Sequence, residues 1–142
     1  MPSRDPGTTA VRIAAGDQTI AADLSLPAQA AGVVLFAHGS GSSRFSPRNR
    51  LVAGYLQQAG IGTLLLDLLT EAEEQIDLRT GEYRFDIPLL ARRLVMATDW
   101  AAVDDQLSTL SLGYFGASTG AAAALVAAAE RPDRISAVVS RG

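Results

Sequence analysis

The sequence predicts an α/β chain built on a mostly parallel sheet, with an N-terminal antiparallel hairpin and helices on both faces. Three observations carry that prediction. Residues 33–37 are apolar without alternation, the pattern of a strand covered on both sides, and 61–66 and 110–115 read as further buried, apolar strands. Between them lie stretches whose apolar residues recur at helical spacing, so strand and helix alternate and right-handed crossovers are expected. Ahead of them, two strand-like runs flank a Gly-Asp turn.

The elements follow in order. Residues 8–14 and 19–26 read as the hairpin, separated by Ala15-Gly16-Asp17-Gln18, because Gly-Asp tolerates the positive φ of a tight turn. Pro27 ends it. The strand at 33–37 runs into a flexible loop, His38-Gly39-Ser40-Gly41-Ser42-Ser43. Ser46 and Pro47 then open a helix, the serine as cap and the proline in the first turn. Leu51, Val52, Tyr55, Leu56 and Ala59 carry that helix to Gly60. A strand over 61–66 ends at Asp67, and a long acidic connection is expected from 68 to about 85. Asp86 caps a helix whose Ile87, Leu90, Leu94, Ala97 and Ala101 share a face. A strand over 110–115, a small-residue helix over 119–130 stopped by Pro132, and a last strand over 135–140 complete the reading. Residues 1–7 are expected to be a disordered tail and 8–142 a single partial domain.

Composition narrows the function classes. The chain has 142 residues, enough for one domain with a core. A formal net charge of -3 offers neither a nucleic-acid patch nor a polybasic membrane anchor. The sequence has no cysteine, which removes disulfides, thiolate metal sites and a cysteine nucleophile together. The first residues lack a signal-peptide core, and no apolar run approaches the roughly 20 residues that span a bilayer. A soluble, cytoplasmic protein is expected. It should need no cofactor and no metal, and it should act on a small molecule rather than on nucleic acid or a membrane.

The sharpest motif is Gly116-Ala117-Ser118-Thr119-Gly120. A G-x-S-x-G in a strand-to-helix turn holds its serine in a strained conformation that projects the hydroxyl from the sheet edge. Here the motif follows a buried strand and opens a helix, which is the context it needs. The plainer reading is a glycine-rich turn whose serine caps the helix. The second motif is His38-Gly39-Ser40-Gly41, a loop able to point backbone N–H groups at a developing oxyanion. The matching donor is the N–H of Thr119, at a helix start where negative charge is favoured. His38 itself reads as a ring that hydrogen-bonds the loop and packs beneath it, without a proton-transfer role.

The run from Val33 to Ser43, the helix start Ser46-Pro47-Arg48-Asn49-Arg50, Leu65-Leu66-Asp67-Leu68-Leu69-Thr70 and Gly116-Ala117-Ser118-Thr119-Gly120 together resemble the dienelactone-hydrolase-like branch of the α/β-hydrolases. The likeness covers the chain from about Val11 to Arg141. It implies an α/β-hydrolase-type sheet, Ser118 as catalytic nucleophile, and Ser40 and Thr119 as oxyanion-hole residues. Two departures stand out. The enzymes that name the branch carry cysteine at the nucleophile, so dienelactone itself is not the substrate expected of a serine. Members of the branch also continue for two further strands that bring an aspartate and then a histidine, so the C-terminal strands and helix are expected to be missing here.

A serine hydroxyl needs a base within hydrogen-bond reach. The single histidine, His38, precedes the nucleophile, whereas the order in this fold is nucleophile, acid, histidine. The triad Asp and His are therefore expected beyond residue 142. The acidic cluster Glu71, Glu73 and Glu74 reads as a solvated loop, and Arg92-Arg93 as an exposed helix face. Tyr83 and Phe85 read equally as pocket lining or as surface. The last apolar strand would present an open edge, so the chain reads as a fragment or as half of a homo-oligomer. The expected function is a serine hydrolase of carboxylic esters, thioesters or lactones. The alternative is a non-catalytic module that uses the fold for binding or assembly. Nucleotide binding is disfavoured, since no lysine follows the glycines and Gly113, Gly116 and Gly120 lack dinucleotide-fold spacing. Segments of this branch sometimes accompany phosphoribosyltransferase domains, but the acidic-pair phosphoribosyl-binding motif does not occur in this sequence.

Overall fold

The computed structural model of the protein describes residues 7–142. The tail expected over 1–7 therefore lies, apart from Gly7, outside the described residues. The hairpin is β1 (Thr9–Ala15) and β2 (Gln18–Ser25), antiparallel with Ala15 opposite Gln18. Only Gly16 of its two-residue turn takes a positive φ, 70°. There follow β3 (Gly32–Ala37), α1 (Pro47–Gln58), β4 (Gly62–Leu66), α2 (Glu71–Thr80), α3 (Ile87–Val103), β5 (Ser111–Ala117), α4 (Thr119–Glu130) and β6 (Ile135–Arg141). The strands form one sheet in the order β1-β2-β4-β3-β5-β6. β4, β3, β5 and β6 run parallel, and β2 joins β4 antiparallel. The result is a mixed sheet, antiparallel at the N-terminal hairpin and parallel from β4 to β6, with helices on both faces.

Strand alternation divides the core in two. Val33, Leu35 and Ala37 face a large cluster with Leu90, Leu94, Ala97 and Ala101 of α3 and Ala123, Ala124 and Ala127 of α4. Methyl side chains on α4 let its backbone approach the sheet closely. Phe36 faces the other way, joining Leu65, Phe115 and Ala53 of α1 in a smaller cluster. The Phe36 and Phe115 rings lie 5.1 Å apart. β6 ends the sheet order, and its Val139 stays 55% exposed.

The acidic connection corrects the sequence reading. Most of the stretch expected as a solvated loop is α2. Thr70 accepts the Glu73 N–H while the Glu73 carboxylate accepts the Thr70 N–H, a reciprocal cap. Gly81, at φ 70°, closes the helix in the left-handed region. α2 buries only Asp77, so it carries no apolar stripe to announce it. Arg93 is a second correction. It is 8% exposed rather than on a solvated face, and its guanidinium donates twice to Glu73, at 2.6 and 2.8 Å.

Candidate active site

β3 and β5 are parallel neighbours with Ala37 opposite Gly116, so the segments leaving their carboxyl ends emerge side by side. That edge is where open α/β sheets bind ligands. From β5 the chain turns at Ser118, with φ 56° and ψ -122°, a region non-glycine residues avoid at a cost of about 1–3 kcal/mol. The Ser118 N–H donates to the Arg141 carbonyl at 2.9 Å, which ties the turn to β6. The Ser118 side chain is exposed and makes no capping bond to α4, so the cap reading of this serine does not hold. Glycine is required on both sides of it. A Cβ on Gly116 would meet Gly120 O at 2.6 Å, and one on Gly120 would meet Ala37 O at 2.2 Å.

The loop after β3 lies against this turn: a Cβ on Gly39 would sit 3.2 Å from Ser118 Cβ and 3.8 Å from its Oγ. Ser40 and Thr119 line one small solvent-open cleft, together with Leu69, Leu78, Arg84 and Leu90. The N–H groups of Ser40 and Thr119 find no acceptor among the described residues. Two free amides beside an exposed hydroxyl suit an oxygen that gains negative charge. Tyr83 and Phe85 do not line the cleft, and Phe85 is 69% exposed; Arg84 between them does.

Polar clamps hold the loop. The Asp67 carboxylate accepts the Arg44 N–H at 2.7 Å and pairs with the Arg44 guanidinium. Asp23 of β2 pairs with Arg44 and Arg50, at 3.5 and 3.1 Å. Both guanidiniums lie over the Phe45 ring, at 4.1 and 4.9 Å. Arg84 Nε donates to the Asp77 carboxylate and Nη2 to the Asp77 carbonyl, at 3.2 and 2.8 Å, fixing the far wall.

His38 is part of this scaffold. Its buried ring accepts the Leu68 N–H at Nε2, 3.1 Å away, and bonds the Gly39 carbonyl through Nδ1 at 2.8 Å. A backbone N–H only donates, so Nε2 is bare and Nδ1 carries the proton. Burial lowers the ring's pKa, and the Gly39 bond, Asp67 and Glu74 oppose that only in part. His38 is thus a neutral ring with both nitrogens committed. Arg93 donates to the Leu68 carbonyl at 3.3 Å, so one peptide segment is gripped by the loop on its amide side and by α3 on its carbonyl side. Burial pushes the Glu73 carboxyl up, but the Arg93 and Thr70 hydrogen bonds outweigh it and leave the pKa below its ordinary value.

Comparison with solved structures bears on this arrangement. A crystal structure of a dienelactone hydrolase from Anabaena variabilis superposes with a TM-score of 0.95 at 60% identity, covering 96% of this chain and 63% of that one. Over nearly its whole length the chain is similar to this dienelactone hydrolase, in sequence as well as in fold. Hydrolases further off share the fold alone. A Pyrococcus furiosus esterase is 19% identical with a TM-score of 0.76, matching 94% of this chain and 51% of its own. Est1E from Butyrivibrio proteoclasticus is 18% identical with a TM-score of 0.71, over 91% and 48%. Two Mycobacterium tuberculosis proteins, from strains CDC 1551 and H37Rv, are provisionally named phosphoribosyl transferases. Each is 53% identical over 132 residues, which is 93% of this hydrolase-like chain and 29% of the relative. The chain thus spans under a third of the curated relatives it matches. Comparison with protein-family models finds no match. Among the described residues no three metal-ligating side chains are grouped to hold an ion, and no helix is long and apolar enough to cross a membrane.

Proposed function

We propose that this chain carries the nucleophile and oxyanion site of a serine hydrolase acting on a small carboxylic ester, thioester or lactone. The observation that carries the proposal is the Ser118 hydroxyl, exposed on a strained turn and uncommitted, beside the free amides of Ser40 and Thr119. Ser118 Oγ adds to the carbonyl carbon as its proton passes to a base, and the carbonyl π pair moves onto oxygen. The two amides receive that oxyanion. Collapse expels the alcohol or thiol, which takes the proton, and water repeats the sequence to release the acid. His38 is excluded as base because its bare nitrogen faces Leu68 rather than Ser118. We place the triad Asp and His in sequence beyond residue 142, the order the family resemblance implies. The transferase name of the mycobacterial relatives is read as describing the part outside the match.

The test is a fluorophosphonate probe on the natively expressed protein, read by mass spectrometry. The adduct is expected on the Ser118 peptide, and S118A is expected to remain unmodified. A wild type that stays unmodified, or labelling that survives S118A, overturns the assignment. The second reading, assembly through β6, draws on the exposure of Val139 at the sheet edge. It predicts an unlabelled dimer.

A further inference from the structure

The hydroxyl of Thr119 is a polar atom the site leaves unexplained. Its Oγ1 is buried and has no hydrogen-bond partner. A threonine inside a helix ordinarily bonds back to a carbonyl three or four residues earlier. Thr98 does so to Leu94 at 2.8 Å and Thr80 to Ile76 at 3.0 Å. Thr119 is the first residue of α4, so the residues three and four before it are Gly116 and Phe115 of β5. Those two lie in the sheet, in register with β3 on one side and β6 on the other, rather than in a helical turn. No helical acceptor exists for this hydroxyl, and a buried hydroxyl without a partner is costly. Arg44 Nε, also buried and unpaired by hydrogen bonds, at least lies 3.5 Å from the Asp23 carboxylate. Thr119 Oγ1 belongs to a residue that lines the cleft with Gly39 and Ser40.

We propose that the Thr119 hydroxyl is a third donor to the oxyanion, alongside the N–H groups of Ser40 and Thr119. A turn about χ1 brings the O–H into the cleft that Thr119 lines, where the oxygen becomes negative when Ser118 adds. Thr119 keeps its proton throughout; it donates a hydrogen bond, and the Ser118 proton goes to the base. A neutral hydroxyl gains most when its acceptor is charged, so the bond favours the tetrahedral species over the bound ester. The orphaned hydroxyl is then a group the resting fold tolerates because the reaction uses it.

This inference rests on the hydrolase reading, and the experiment separates the two. Valine replaces the hydroxyl of threonine with a methyl group of nearly the same shape. In the natively expressed protein, T119V is expected to keep or raise the thermal midpoint, because an unpaired buried group is gone. It is also expected to slow phosphonylation of Ser118 about 100-fold, the usual effect of losing an oxyanion donor. T119S keeps the hydroxyl and should label within a few-fold of wild type. Labelling of T119V at the wild-type rate overturns the proposal, and so does slowing accompanied by a fall in the midpoint or shared equally by T119S. A wild type that fails to label defeats the hydrolase reading instead, and this inference falls with it.

Discussion

Replacing Arg93 with methionine tests whether charge, rather than apolar packing, holds the rim of the cleft. Methionine keeps an apolar stem and removes the guanidinium. Lost with it are the bonds to Glu73 at 2.6 and 2.8 Å and the bond to Leu68 O at 3.3 Å. Hydrogen bonds to charged groups contribute about 1.5–3 kcal/mol, and removing one partner of a fully buried pair costs about 3–5 kcal/mol. The two side chains keep 10% and 19% exposure, so water screens the pair and the smaller end applies, about 2–3 kcal/mol. The loss should be local, because α2 buries only Asp77. Native-state hydrogen exchange reads this directly: amides of 71–80 should exchange about 30- to 150-fold faster in R93M, while those of β3 and β5 hold their wild-type rates. The residual cost is largely an uncompensated carboxylate, so R93M/E73Q should recover more than half of it. Glu73 supplies its share above its ordinary pKa of 4.5, and that share fades as pH falls through the lower folded value. Uniform acceleration across the sheet, unchanged α2 amides, or a double mutant no better than R93M refutes the reasoning.

Two further outcomes follow from the site. His38 has its pKa lowered by burial from 6.5, so the unfolded chain takes up a proton first as pH falls. Its neutral form therefore supports full stability above about pH 6.5, and unfolding free energy should decline below that by up to about 1.4 kcal/mol per pH unit, with H38Q removing the slope. Urea titrations from pH 7.5 to 5.5 read it, and parallel curves for the two proteins contradict it. G120A drives a methyl group to within 2.2 Å of Ala37 O and 2.4 Å of His38 O, both backbone. It should lower stability by about 3 kcal/mol or more, and a urea midpoint within error of wild type is the contrary result.

What could be read in advance follows from burial. The parallel strands announced themselves because β4 is buried along its whole length and β3 along most of its own, so that Thr63 is the one polar side chain in the two. The G-x-S-x-G turn was legible because contacts of 2.2–2.6 Å leave nothing but glycine at Gly116 and Gly120. α2 was not, since it packs one carboxylate rather than an apolar stripe. Its signal was Thr70 followed by Glu73 and closed by Gly81, a cap pattern lying in an acidic stretch. Arg93 was readable from spacing: it falls with Leu90 and Ala97 on the buried face of α3, where a charge must find a partner. The His38 tautomer depends on Leu68, 30 residues on, and no local pattern holds that information.

Those differences separate two kinds of support at the site. Ser118 rides on β5, whose Tyr114, Phe115 and Gly116 are buried between β3 and β6. Moving it means parting core strands, which draws on the global stability of the domain. The wall opposite, α2 with Leu78 and Arg84, is fastened by a few charged contacts at the Leu68 segment and Asp77. Such fastenings open at the cost of local terms alone. The Ser118 hydroxyl and the Ser40 and Thr119 amides, the groups of the proposed chemistry, therefore keep their places while the shape of the cleft adjusts. Substitutions in the clamps at Arg93, Glu73 and Asp77 should alter which acyl or alcohol group fits, and leave the phosphonylation of Ser118 by a small probe nearly as fast as before.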